Sequence, residues 1–305
     1  MLNPQLDRRG EMLHLLTTEG LPRRHVERLL DAARGMGAGT APSGPASGLP
    51  VFLCLPDDAA QDRDAFAAAA ASLSLPSVPV DASAGGALAA TVAGLGPGVL
   101  VLRHAASGAA HCAAAHAAAG LRVVNAGDGS HADPLPALAL VQAMLEAKQD
   151  LTNLAVTLVG DVRHSRLARA VIHVMTTLGV PEVGAAAPRT LLPDGLAQLG
   201  VRACASLGEG LQDADVIIVL PLDVERISGA LLPSAREYAY AYGLTPGALA
   251  GARPDALLLP AGGLEPGIEV DGDVAASLAP VQARLAELER HLRQAALAAL
   301  AGDAP

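Results

Sequence analysis

Tryptophan is missing from the 305 residues, which include only three tyrosines and two phenylalanines. A chain this poor in aromatic rings offers few platforms on which nucleic acid bases could stack. Its formal net charge of -10 also opposes the phosphate backbone and anionic membrane surfaces. Lysine is almost as scarce: Lys148 is the only one among 21 basic residues. A pocket needing a lysine away from that position would therefore have to use arginine. Cysteine occurs three times, at Cys54, Cys112 and Cys204, with no CxxC spacing. That pattern excludes a thiolate metal knuckle and suggests free thiols in a reducing compartment. No apolar run has the length of a membrane span, and "MLNPQLDRRGEMLHLL" lacks the apolar centre of a signal peptide. A soluble cytoplasmic protein is expected, with no nucleic acid or membrane partner.

Half the residues are hydrophobic, dominated by alanine, leucine and valine. Such a composition can build a large core by close approach of helices and strands, and the length suits roughly two domains of about 100–200 residues each. "TTEGLPRRHVERLLDAARGM", residues 17–36, has apolar residues at helical spacing behind a threonine, which predicts a threonine-capped helix. "GAGTAPSGPASG" is a loop by composition. "LPVFLCLP" (49–56) is of strand length, and "DDAAQDRDAFAAAAASL" after it is helical, with aspartates in its first turn. Strands are also predicted at 98–104, 121–127, in "NLAVTLVGD", in "DADVIIVLP" and in "DALLLPAGG". Helices are predicted in "SGAAHCAAAHAAAG", from Pro134 to Lys148, in "HSRLARAVIHVMTTLG" and in "VQARLAELERHLRQAALAAL". This alternation predicts α/β architecture: two doubly wound parallel-sheet domains, with ligands near the carboxyl ends of the strands. The helix from Pro134 is expected to bridge the domains.

The motifs "HLLTTEGL", "VLRHAASGAAH", "VVNAGDGSHADP", "LVGDVRHSRLARA", "ADVIIVLPLDVERI", "LLPSAREYAYAYGLT" and "GARPDALLLPAGGLEPGIEV" occur in an order and spacing that resemble the catalytic chains of bacterial aspartate carbamoyltransferases, from about residue 10 to residue 275. The resemblance implies the aspartate/ornithine carbamoyltransferase fold. It further implies a carbamoyl-phosphate-type domain over 1–133, an aspartate-type domain over 134–276, and a C-terminal helix, 277–305, packing back on the first. A homotrimer with sites shared between subunits is implied, as is a place in pyrimidine biosynthesis, where some relatives form complexes with dihydroorotase. No cofactor or metal is implied.

Carbamoyl transfer joins two dianionic reactants and polarises a carbonyl, so its site depends on cations, backbone donors and hydroxyls. The resemblance places the phosphate-cradling Ser-Thr-Arg-Thr run on Ala59, Ala60, Gln61 and Asp62, with Phe66 as the aligned aromatic. Arg63 is the nearest remaining cation. Asp57, Asp58 and Asp62 crowd the helix start, where a carboxylate is expected to take up the free N–H groups. A second loop, which in the family brings a lysine, corresponds to "DASAGGALAAT" (81–91) and contains no basic residue. The family's His-Pro-Thr-Gln falls on Asp133, Pro134, Leu135 and Pro136, so a carboxylate stands where a donor polarises the carbonyl. On the aspartate side the family's arginine and glutamine fall on Pro221 and Asp223, its His-Pro-Leu-Pro-like turn on Pro260 to Gly263, and its next arginine on Pro266. Arg103 and Arg166 remain as vestigial substrate-binding positions, with Arg63 beside them.

The residues therefore predict no catalytic side chain and a pseudoenzyme of this family serving as a structural or regulatory subunit, alone or with dihydroorotase or an active aspartate carbamoyltransferase. Two alternatives stay open. One is an active transferase relying on Arg103, Arg166 and Arg63; the other is a sensor of amino acids or other small molecules, in which Asp133 and Asp223 favour a cationic or neutral ligand. Structural ion pairs with Asp128 or Asp161 are a competing reason for keeping Arg103 and Arg166. His111 and His116, five residues apart on a helix, do not share a face and are not expected to bind metal. His131 and His164 are read as exposed loop histidines.

Overall fold

The computed structural model describes residues 3–40, 48–81, 88–222, 232 and 234–302. The chain divides into two compact units, Met1–Ala139 together with Glu287–Pro305, and Leu140–Ala286.

The first unit contains α1 (Arg23–Gly37), β1 (Val51–Cys54), α2 (Ala60–Ser72), β2 (Ser77–Pro79), α3 (Leu88–Ala93), β3 (Gly98–His104), α4 (Ala109–His116) and β4 (Leu121–Asp128). Its sheet is parallel throughout, in the order β2-β1-β3-β4. β3 and β4 are apolar runs buried on both faces, as helix-covered parallel strands require. Leu100, Leu102, Leu121 and Val123 pack there against the alanines of α4. The start of the chain is stitched to the edge of this sheet: Leu15 N donates to Val123 O and Asn125 N to Leu15 O, both at 2.8 Å.

The expected threonine cap is not the start of α1, which begins at Arg23 behind Pro22 and has no side-chain cap. Thr17 Oγ1 instead accepts from Glu19 N at 3.1 Å. Gly20, at φ +67°, then turns the chain before the proline. This local hydroxyl turn competes with helix formation, and the helix waits for Pro22.

The chain passes from one unit to the other within α5 (Pro134–Lys148). The second unit contains β5 (Ala155–Val159), α6 (Arg166–Leu178), β6 (Glu182–Ala186), β7 (Val201–Ala203), α7 (Leu207–Leu211), β8 (Val216–Val219), α8 (Ala235–Tyr242), α9 (Pro246–Leu249), β9 (Leu257–Pro260) and α10 (Gly272–Ser277). Its parallel sheet runs β7-β6-β5-β8-β9. Val159, Ile217 and Val219 meet Leu207, Leu211 and Leu244 in its core. The chain returns to the first unit within α11 (Ala279–Gly302). The architecture is thus two α/β units, each built on a parallel sheet.

Candidate functional site

In parallel α/β sheets the carboxyl ends of the central strands are where loops and helix starts converge on ligands. In the first unit β1 and β3 are neighbours, with Cys54 paired to Leu102. The segment after β1 and Arg103 near the end of β3 therefore share one rim. After Pro56 the chain makes a short 3-10 turn, Asp57–Ala59, and enters α2, whose start has no side-chain cap.

Asp62 does not serve the backbone donors of α2 as the sequence led us to expect. One of its carboxylate oxygens accepts from Arg103 Nη1, and the other from Arg293 Nη2 at 3.3 Å. Two guanidinium groups satisfy a carboxylate better than exposed N–H groups do, because each bond is charge-assisted on both sides. Arg293 lies on α11, donates also to Glu289 Oε2 at 3.0 Å, and has its guanidinium 5.4 Å from the centre of the Phe66 ring. Burial, reinforced by the nearby charges of Asp133 and Asp62 and opposed by Arg293, pushes the Glu289 carboxyl above its ordinary value. Arg63 is folded back on its own loop, donating to Pro56 O at 2.9 Å, Leu55 O at 3.2 Å and Asp57 Oδ1 at 3.3 Å. Ala59 is buried, whereas Ala60 and Gln61 are exposed.

Arg103 is ion-paired, but with Asp62 and not with the expected Asp128. Asp128 is fully buried and accepts from Gly108 N at 2.7 Å, Asn125 Nδ2 at 2.8 Å, Ala132 N at 3.1 Å and His131 Nδ1 at 3.1 Å. Burial alone would raise its carboxyl, but the bonds from His131, Asn125 and Gly108 outweigh it and hold the group below its usual range. Asp128 is a loop organiser: it shapes the "NAGDGSHADP" turn that leads to Asp133 and α5. Asp133 is itself buried. Pro134 and Pro136 lie in the first turn of α5, and neither proline has an N–H to offer a ligand.

In the second unit the turn between β5 and α6 is held by its own residues and, through Arg163, by a more distant segment: Arg163 N donates to Leu191 O at 2.9 Å and Arg163 Nη2 to Leu192 O at 2.7 Å. Gly160, at φ +122°, approaches the carbonyl oxygen of Leu220 so closely that a side chain would collide with it. Asp161 is buried and accepts from His164 N at 3.1 Å and from His164 Nδ1 at 2.8 Å. Ser165 caps α6, its hydroxyl accepting from Ala168 N at 3.0 Å. Arg166 opens the helix and is half-buried. His131 and His164 are therefore half-buried partners of aspartates rather than exposed loop residues. Their spacing to Asp128 and Asp161, three residues in each case, lets the ring fold back on the carboxylate.

Glu269 joins the strand ends of this unit, accepting from Leu222 N and Glu265 N, both at 2.8 Å. Tyr238 is buried on α8, and burial, reinforced by the charges of Glu269 and Asp161, pushes its phenol far up. Pro221 is half-buried beyond β8, Pro260 ends β9 and Pro266 is exposed. Asp223 and residues 82–87 of the lysine-free loop lie outside the described residues. Among the described residues no group of three histidine, cysteine or acidic side chains could hold a metal ion, and no helix is long and apolar enough to cross a membrane. His111 and His131 meet edge to face with ring centres 5.3 Å apart.

Sequence reasoning named Asp62 and Arg103 but did not join them, and it missed Arg293 and Glu289. The only local signal was the i,i+4 spacing of Glu289 and Arg293, which ordinary exposed helices share.

No family model matches the chain. Its fold does match solved structures. Ornithine carbamoyltransferase from Gloeobacter violaceus superimposes with a TM-score of 0.78 at 20% identity, covering 95% of this chain and 99% of that one. Aspartate transcarbamoylase from Trypanosoma cruzi, in complex with N-(phosphonacetyl)-L-aspartic acid, gives 0.78 at 20% identity, covering 96% and 98%. Ornithine carbamoyltransferase from Pyrococcus furiosus gives 0.76 at 20% identity, covering 96% and 98%. The chain has the two-domain aspartate/ornithine carbamoyltransferase fold.

Proposed function

We propose that this protein keeps the carbamoyltransferase fold without carbamoyl transfer, and serves as a structural or regulatory subunit in pyrimidine biosynthesis. The observation that carries the reading is the pairing of Arg103 with Asp62. The cation expected to meet carbamoyl phosphate already holds a carboxylate that stands where the resemblance expects a phosphate-binding hydroxyl. At an effective dielectric of 20, a charge contact near 4 Å is worth about 4 kcal/mol before desolvation, and one missing oxyanion donor costs roughly 10²- to 10³-fold in rate. Ala59, Ala60, Gln61, Asp133 and Pro136 remove several such contacts at once. An active transferase would need Arg63 and Arg103 available to substrate, and both are committed to internal acceptors.

In this reading the first unit is the carbamoyl-phosphate-type domain and the second the aspartate-type domain, near the limits 1–133 and 134–276. The protein works in the cytoplasm as a homotrimer, alone or bound to dihydroorotase or an active aspartate carbamoyltransferase. It uses neither cofactor nor metal. Steady-state assays with carbamoyl phosphate and either aspartate or ornithine should give no carbamoylated product above the protein-free background. Turnover at the rate of an ordinary enzyme would refute the reading. Size-exclusion chromatography with light scattering, with and without each partner, tests the assembly: a trimer mass and co-elution are expected, and a monomer that binds neither partner would remove the scaffold role.

A further inference from the structure

The first unit has a second opening at the other end of its sheet. Arg122 is the second residue of β4 and so stands at the amino end of the strands, away from Arg103 and the carboxyl-end rim. Beside it is a pocket of about 960 Å³, near the top of the ~300–1,000 Å³ range of small-molecule sites. Three segments wall it: Met12 and Leu13 from the start of the chain, Leu29 and Met36 from α1, and Ala295 and Ala298 from α11. The two methionines are partly buried, and their unbranched side chains can adapt to the shape of a ligand. Most ionic groups around the pocket are already matched. Glu11 pairs with Arg28 at 2.7 Å and Asp31 with Arg34 at 2.9 Å. Asp7 accepts from Arg9 N and Glu11 N, and Arg9 is exposed to water with the charge of Asp7 close by. Arg122 differs: it is partly buried, and its guanidinium has no hydrogen-bond or ion-pair partner among the described residues.

We propose that this pocket binds an amphipathic organic anion, its carboxylate held by Arg122 and its hydrocarbon body laid between α1 and α11. A guanidinium partly withdrawn from water beside apolar walls calls for an acceptor, and charge-assisted bonds are the strongest it can make. The net charge of -10, with Asp7, Glu11 and Asp31 around the opening, disfavours polyanions and leaves a single carboxylate as the matching head group. The leucine, methionine and alanine walls favour a hydrocarbon body over a sugar, because they offer apolar area and no hydrogen-bond partners of their own. The site is independent of the strand-end rim and does not need that rim to be active or closed.

Calorimetric titration of the full chain with octanoate, acetate and octanol at constant ionic strength tests this. Octanoate should bind about tenfold or more tightly than either of the others, because it alone uses both the apolar walls and Arg122. Arg122→Gln should remove the advantage of octanoate over octanol. In the unaltered chain carrying methyl-labelled methionine, octanoate should shift the resonances of Met12 and Met36. Those of Met144 and Met175, which are fully buried in the second unit, should stay in place. The methyl shifts need no variant and decide the question even if Arg122→Gln does not fold. Octanoate that binds no more tightly than octanol, octanoate affinity unchanged in folded Arg122→Gln, or methyl shifts that spare Met12 and Met36 would each overturn the proposal. Carbamoyl product formation is read separately, so failure of the proposed function and failure of this site give different results.

Discussion

The two strand-to-helix turns that follow β1 and β5 occupy equivalent places in their sheets, but their aspartates are secured in opposite ways. After β5, Asp161, His164 and Ser165 bind partners three residues along the chain. After β1, Asp62 reaches Arg103 and Arg293, which are 41 and 231 residues away. The aspartate and cap bonds of the first turn close as soon as its own residues adopt their dihedral angles, while Arg163, donating to Leu191 O and Leu192 O, ties it to a more distant segment. The second depends on the whole unit being assembled, because its loop-closure cost is met only when β3 and α11 are in place. The same contrast extends to the start of the chain, where His14 Nδ1 accepts from Val123 N at 3.0 Å across 109 residues.

Acid should expose this difference most strongly. Burial, reinforced by the charge of Arg122, lowers the pKa of His14 from 6.5 to about 4. A protonated ring could not accept the Val123 N–H and would be a buried charge. The folded pKa is depressed, so the stabilisation is complete above pH 6.5, declines as pH falls through the interval to about 4, and is then gone. It amounts to about 3 kcal/mol. The Asp128 carboxyl is held below its ordinary value, so its contribution falls away only at lower pH, outside that interval. Hydrogen exchange followed from pH 7 to pH 4 should show β4 losing protection before β5. In His14→Gln the two should decline together, and a pH profile unchanged by that substitution would break the comparison.

A smaller effect, about 2 kcal/mol, is expected from Arg293→Met, which leaves Asp62 with one cation and Glu289 with none. Fully buried pairs lose about 3–5 kcal/mol when one partner is deleted; the Asp62 and Glu289 side chains are 29% and 27% exposed, and solvent screening reduces the figure. Methionine keeps an apolar stem over Phe66, so the loss reports mainly on charge. Urea denaturation of Arg293→Met, Asp62→Asn and the double variant should give non-additive losses. Arg23→Met removes the exposed pair with Glu27 and is the reference: if Arg293→Met costs no more, the long-range clamp is an ordinary surface contact.

What could be read in advance follows the same division. β3, β4, β5, β8 and β9 are apolar runs, and the motif "GDVRHSR" marks a turn whose aspartate and helix cap find their partners three residues along the chain. β2, β6 and β7 escaped notice because "SVP", "EVGAA" and "VRA" are too short or too rich in small and polar residues to carry an apolar signature. Sheet pairing, rather than side-chain burial, makes β2 and β7 strands at the edges. The aspartates before α2 read as helix-start residues because that rule is local. Asp62 is instead engaged by Arg103 and Arg293, whose proximity no spacing in the sequence encodes, while Asp57 pairs with Arg63. Asp62 and Arg103 were legible one by one, whereas their meeting with Arg293 needed three elements in space.

The smallest test concerns the locally secured turn. Ser165→Ala removes the acceptor for Ala168 N and should cost about 1 kcal/mol, the usual value of a helix cap. The loss should stay modest because Asp161 continues to bind His164 N and the His164 ring, and Gly179 in the left-handed conformation still closes the other end of α6. The cap forms early if the turn is self-contained, so the substitution should slow folding as well as speed unfolding. Arg293→Met, which removes a contact made only on assembly, should act on unfolding almost alone. Stopped-flow chevrons of the two variants separate these outcomes. Equal partition of both losses between the folding and unfolding limbs would mean that the two turns, for all their difference in partners, consolidate at the same stage.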